Sequence, residues 1–210
     1  MPFIGLTGGL GAGKTTVLGF FKRSGAHTIN ADKLVHESLK NPAIIKKLAR
    51  LLGRDILIKK ASKVSVNKKR IAEIIFNDPQ KRMAVEKILH PDVMKAAKKI
   101  KTATLKKDSG AVIVFEVPLL FEAGYTKLFD SIIVVHCDRA TALARLERQG
   151  MSKEQAVKRM RAQGPISEKK KHADFLIDNN PDISRAKART SAIFKTLSGE
   201  TSSIPSFPES

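Results

Sequence analysis

Residues 5–21 read GLTGGLGAGKTTVLGFF, and this stretch constrains the chain more than any other. Gly8-Gly9-Leu10-Gly11-Ala12-Gly13-Lys14-Thr15 fits the spacing G-x-x-x-x-G-K-[ST] completely. The run PFIGLT (2–7) before it reads as a short buried strand. After it, Val17, Leu18, Phe20 and Phe21 give the apolar stripe of a helix over 14–23. Strand, glycine loop and helix in that order make a cradle for phosphate. Glycines let successive backbone N–H groups turn inward around an anion, and the helix start presents its positive dipole end to the same place. In such a cradle Lys14 bridges the terminal phosphates and the Thr15 hydroxyl ligates Mg2+. Gly9 to Thr16 are therefore expected to hold a nucleoside triphosphate, but the loop does not name a reaction.

The rest of the chain says what kind of body carries the loop. Four more apolar runs read as strands: HTINAD (27–32), AVIVFEVPLLF (111–121), DSIIVVHC (130–137) and ADFLIDNN (173–180). Helical patterns occupy 139–150, then 152–164 with Ser152 as cap and Gly164 as stop, then a last segment to about Leu197. From Lys33 to about Lys107 the pattern is mainly helical, punctuated by Pro42, Gly53 and Pro91. Strands alternating with helices predict an α/β fold with a five-stranded parallel sheet. The expected organisation is a core of residues 1–32 and 108–197 with a lid at about 145–170. Residues 33–107 form a helical lobe, and the Ser/Pro-rich 198–210 a disordered tail.

Charge narrows the partners. The chain has 39 Lys+Arg against 20 Asp+Glu, a net +19, which attracts anions. Aromatic residues are only 5%, with no Trp and one Tyr, whereas single-stranded nucleic acid is held largely by aromatic stacking. Nucleic acid is therefore not the expected partner. No apolar run approaches the roughly 18–20 residues of a membrane span. The start MPFIGLTGG lacks the features of a signal peptide. The single cysteine, Cys137, cannot form an intrachain disulfide, and the expectation is a cytoplasmic protein with Cys137 in its core.

Transfer to a hydroxyl needs a carboxylate to take the proton, near a strand end. Asp32 ends the second strand and is the first candidate, with an N-cap of helix 33–40 as its competing role. Glu116, in the strongest strand, reads either as a ligand to a Mg2+-bound water or as a structural carboxylate. Arg145, Arg148, Arg159 and Arg161 lie on two helices around a turn, and Arg159 shares a helix face with Gln163. They suit a lid over the triphosphate, or a solvated basic helix pair. The GTPase base motif N/T-K-x-D is absent from the sequence.

Several segments together resemble the dephospho-CoA kinase family. They are GLTGGLGAGKTT (5–16), INAD (29–32), IIF (74–76), VEKILHP (85–91), VPLLFE (117–122), RLERQGMSKEQAVKRMRAQ (145–163) and ADFLIDNN (173–180). The resemblance implies ATP-dependent phosphorylation of the ribose 3′-hydroxyl of dephospho-CoA, with Mg2+. It also implies a P-loop kinase fold with a helical substrate lobe and a mobile lid. By motif, Asp32 becomes the base, Lys14 and Thr15 handle phosphates and Mg2+, and Arg145 and Arg159 contact phosphate from the lid. Asn179 falls near the adenine, and His90, Leu119, Leu120 and Glu122 line or support the dephospho-CoA side. The family usually reads D-A-D where this chain has Asn30-Ala31-Asp32, and an arginine where it has Lys68. Two other readings remain open: a kinase of another small hydroxyl or nucleotide substrate, and a nucleic-acid-binding ATPase.

Overall fold

In a computed structural model of the chain, residues 2–60 and 63–200 are described here. In chain order they form β1 (Phe3–Gly8), α1 (Lys14–Arg23), β2 (His27–Asn30), α2 (Ala31–Ser38), α3 (Pro42–Leu52), β3 (Leu57–Lys60) and β4 (Lys63–Val66). Next come α4 (Lys68–Asn77), α5 (Pro79–Lys107), β5 (Ile113–Glu116), β6 (Ser131–His136), α6 (Arg139–Arg148), α7 (Lys153–Arg161), α8 (Ile166–Lys171), β7 (Phe175–Asp178) and α9 (Ile183–Leu197). By contacts the chain divides into two units, Met1–Asn30 with Ala103–Ser210, and Ala31–Thr102.

The first unit is built on a parallel sheet of order β2-β5-β1-β6-β7. The five strands are those the sequence predicts: β1 lies one residue further along, β2 is shorter at its C-terminal end, and the other three are trimmed at both ends. β1 and β5 are buried on both faces, as their unbroken apolar runs require of strands flanked on each side. Ile4, Leu6, Val114 and Val135 pack with Val17 and Phe21 of α1 and Ala186 and Ile193 of α9. Each of these side chains larger than alanine contributes about 1.5–3 kcal/mol on burial. Alternation sends Phe3 to the opposite face, where it stacks on Phe129 at 5.0 Å and meets Phe115 at 6.2 Å. The chain leaves β1 for β2 on one side of the sheet and later reaches β6 on the other. The glycine loop thus follows the strand at which the order reverses, where open α/β sheets leave a crevice for ligands.

The second unit holds α2, α3, α4 and most of α5 around Ile44, Leu48, Ile56, Ile71, Val85 and Leu89. α3 starts cleanly because the Asn41 side chain accepts from the Ala43 N–H at 3.0 Å and Pro42 occupies the first turn. Two features differ from the sequence reading. The stretch read as mainly helical contains an antiparallel hairpin, β3 against β4, with Leu57 opposite Val66. Pro91 does not punctuate: α5 runs through it for 29 residues. Val85, Leu89, Val93 and Ala97 are all buried at four-residue spacing, and this stripe outweighs the hydrogen bond that proline removes. Of the tail expected to be disordered, 201–210 lies outside the described residues, while Ser198 caps α9 and Glu200 N–H donates to Lys195 O at 2.9 Å.

Candidate active site

The loop from Gly8 to Gly13 turns tightly into α1, and the turn depends on glycine at two places in particular. At Gly8, φ is +150° and a Cβ would stand 2.0 Å from the Val135 carbonyl oxygen. At Gly13, φ is +81° and a Cβ would meet the Asn179 amide nitrogen at 2.2 Å. Gly13 is also the N-cap of α1, with no side chain capping the helix start and no acidic residue in its first turn. The first N–H groups of α1 are left for an incoming anion. Lys14 folds back over the loop, its ammonium donating to the carbonyls of Gly9 at 2.9 Å and Gly8 at 3.3 Å.

Beside the loop, the ends of β2 and β5 meet the start of α1. Thr15, in the first turn of α1, donates its hydroxyl to Glu116 Oε1 at 2.9 Å. Asn30, the last residue of β2, donates its amide to Glu116 Oε2 at 2.6 Å. The register of β2 on β5 sets Asn30 directly opposite Glu116. Glu116 is 3% exposed, yet both its oxygens have donors. No group of three or more His, Cys, Asp or Glu that could hold a metal occurs among the described residues. One hydroxyl and one carboxylate fit Mg2+, which binds by one or two protein oxygens and keeps water and phosphate for the rest of its shell.

On the other side of the loop, the Ala12 carbonyl accepts from the Asn179 amide at 2.8 Å and from Arg145 at 3.5 Å. Asn179 is 2% exposed, and its Oδ1 has no partner among the described residues. A cavity of about 470 Å3 opens here, lined by Gly9 and Leu10 of the loop, His136 at the end of β6, Cys137 after it, Met160 of α7 and Gln163 just beyond α7. Burial pushes the Cys137 thiol up, and the nearby Arg145 only partly opposes it, so the thiol stays protonated at neutral pH. Burial also lowers His136, which stays neutral there, helped by Lys170 and opposed by Asp178.

Glu122 lies in the turn after β5. It pairs with Lys169 of α8 at 2.7 Å and accepts from the Gly164 N–H at 3.3 Å. Burial pulls its carboxyl upward, but Lys169 and the backbone N–H groups outweigh that and hold it below the usual glutamate range. Leu120 is fully buried against Gly5, and Leu119 is half-buried beside it. Arg159 and Thr16 are exposed, the former on α7 and the latter on α1. Asp32 and His90 belong to the second unit: Asp32 is exposed in the first turn of α2, and His90 is half-buried in α5. Lys68 hydrogen-bonds His36.

The family model for dephospho-CoA kinase matches residues 2–185 of this sequence. The chain belongs to the dephospho-CoA kinase family. Its similarity to curated dephospho-CoA kinases runs the length of both partners. That of Aquifex aeolicus (strain VF5) is 34% identical over 198 residues, 94% of this chain and 98% of the relative. That of Carboxydothermus hydrogenoformans is 35% identical over 198 residues, 93% and 94%. Among solved structures, TT1252 from Thermus thermophilus superposes with a TM-score of 0.75 at 26% identity, covering 93% of this chain and 97% of that one. The dephospho-CoA kinase from Campylobacter jejuni gives 0.67 at 26% identity, covering 94% and 98%. As a dephospho-CoA kinase family member the chain is a phosphotransferase enzyme with the P-loop kinase fold.

Two residues of this kinase site were not singled out by sequence for the roles they take here. Asn30 departs from the family's usual aspartate, and nothing in the local sequence marks it as a donor to Glu116. Lys169 was one lysine in the cluster SEKKKH, and no spacing rule separates a buried lysine from its exposed neighbours.

Proposed function

We propose that this chain transfers the terminal phosphoryl group of ATP to the ribose 3′-hydroxyl of dephospho-CoA, giving coenzyme A and ADP. The observation that carries the reading is the cradle itself: an uncapped α1 N-terminus, Lys14 over the loop, and the Thr15–Glu116 pair at a parallel strand end. It sits in a chain of the dephospho-CoA kinase family. Mg2+ bound with the nucleotide supplies charge neutralisation for the phosphates. Thr15 and Glu116 are the residues that would hold it, Thr15 directly and Glu116 through water. Lys14 and the loop N–H groups bind and orient the β- and γ-phosphates and stabilise charge on the transferring group. Asp32 takes the proton from the 3′-hydroxyl as its oxygen bonds to the γ-phosphorus and the bond to the β,γ-bridging oxygen breaks. Arg145 and Arg159 add positive charge from α6 and α7 when the lid closes, and closure excludes water. Among the described residues no helix is long and apolar enough to cross a membrane, and a cytoplasmic enzyme without a nucleic-acid partner fits this reading.

The test is a coupled assay with dephospho-CoA beside AMP, CMP and shikimate, with and without nucleic acid. Turnover of dephospho-CoA to a 3′-phosphorylated product supports the reading. Turnover of another acceptor alone, or ATPase driven by nucleic acid, overturns it. Asp32→Asn is expected to lower kcat by roughly 10²–10⁴-fold at near-unchanged ATP affinity. A loss confined to ATP binding would move the base elsewhere.

A further inference from the structure

The Thr15–Glu116–Asn30 arrangement does more than supply ligands. A hydroxyl has one proton and two lone pairs. Thr15 gives its proton to Glu116, so both lone pairs remain for a cation. That orientation lasts only while the Glu116 carboxylate holds still. A carboxylate at a metal site is commonly held by the metal itself and by hydrogen bonds from its surroundings. Here the second oxygen of Glu116 is already taken by the Asn30 amide at 2.6 Å, across a strand register that fixes both backbones. An ionised carboxylate only accepts, so it is the amide nitrogen that faces it. Asn30 also adds no charge, which leaves the three side chains with one carboxylate between them.

We infer that Asn30 is a positioning residue: its amide, in place of a bound cation, fixes Glu116, so the Mg2+-binding face is assembled before metal or nucleotide arrives. The inference rests on reading the loop as a Mg2+–nucleotide site. It has two consequences. Without nucleotide the protein has little use for Mg2+, because the cluster is already satisfied and carries a single negative charge. Replacing Asn30 by aspartate sets two carboxylates within hydrogen-bond distance, and a divalent cation then becomes part of the folded structure. Asn30→Asp, although it restores the residue the family usually carries, is then tolerated only with Mg2+ present.

The experiment uses the full chain and the variants Asn30→Asp, Asn30→Ala and Glu116→Gln. Melting is measured without nucleotide, in EDTA and in MgCl2. Calorimetry then follows ADP binding across a range of Mg2+. The wild type is expected to melt at the same temperature in EDTA and MgCl2. Asn30→Asp is expected to melt about 4 °C or more lower in EDTA and to recover in MgCl2. Asn30→Ala, which frees Glu116 to move, is expected to need roughly 10–100-fold more Mg2+ to half-saturate ADP binding, while kcat at saturating Mg2+ changes far less. In a Glu116→Gln background, Asn30→Ala is expected to add little, because both act through one carboxylate. The inference is overturned if Asn30→Asp melts alike in EDTA and MgCl2. It is also overturned if Asn30→Ala leaves the Mg2+ dependence at the wild-type value, or weakens ADP binding equally at every Mg2+ concentration. Failure of the wild type to bind Mg2+–ADP at all would count against the functional reading itself, and the nucleotide-free melting of Asn30→Asp would still report on the amide.

Discussion

Two glutamates near the end of the same strand are used in opposite ways. Glu116 ends β5, is 3% exposed, and is held by two neutral donors, a hydroxyl and an amide. Glu122 follows in the next turn, with its side chain 28% exposed, and is matched by the full positive charge of Lys169, itself 3% exposed. Neutral donors fix a carboxylate without cancelling its charge, so Glu116 can still serve an incoming cation. An ammonium cancels the charge, so Glu122 is spent on architecture: it ties the turn after β5 to α8 and to the Gly164 N–H. The partner's formal charge therefore separates a carboxylate that keeps its negative charge from one that fastens the chain, and burial alone would have ranked them the other way.

The contrast can be broken at each end. The largest effect is expected next to Glu116. On the proposed mechanism, Lys14→Ala should lower turnover by about 10³-fold, since charge that develops only during transfer would lose its stabilising cation. Its melting temperature should stay near wild type, and near-normal turnover would remove the phosphate-loop assignment. Glu116→Gln keeps the shape and removes the charge; activity or Mg2+ affinity should fall roughly 10–100-fold with little change in melting. Glu122→Gln should do the reverse. It strands a buried ammonium, a loss of about 2 kcal/mol once the partial exposure of the carboxylate is discounted, and melting should fall by roughly 4–8 °C. Equal melting losses in the two glutamine variants would erase the distinction. The smallest effect is in pH. The folded-state value of Glu122 lies below its ordinary 4.5, so the stability it lends is complete above that pH and is lost as pH falls through the folded value. The melting gap between wild type and Glu122→Gln should therefore shrink on acidification below about pH 4.5.

The sequence made the Glu116 side of this contrast partly readable and the Glu122 side hardly at all. The glycine loop is legible because its chemistry is local: eight consecutive residues carry the turn, the cation and the hydroxyl. The three central strands, β1, β5 and β6, are legible because they are buried on both faces and so almost wholly apolar, whereas the edge strands β2 and β7 are only partly buried. The donors that give Glu116 its character come from 101 and 86 residues away, and no local pattern announces such pairings. Lys169 sits in α8, a six-residue helix too short to show periodicity. The β3–β4 hairpin was hidden by lysines among its β-branched residues, although Val64 and Val66 alternate with polar positions. Pro91 signals a break by local preference, but the buried stripe of Val85, Leu89, Val93 and Ala97 that spans it overrides that preference.

The Ala12 carbonyl, gripped by Asn179 and approached by Arg145, bears on more than its own oxygen. A trans peptide is a rigid plate with its C=O and N–H pointing opposite ways. Whatever clamps the oxygen of the Ala12–Gly13 plate also aims the Gly13 N–H, and prevents the plate from flipping over. Glycine-rich backbone is the most floppy a chain can have. Here two segments distant in sequence immobilise that one plate, so the ordering cost is met when the chain folds rather than when phosphate binds. Trimming the Asn179 side chain would leave every loop residue in place, yet return one donor of the cradle to free rotation.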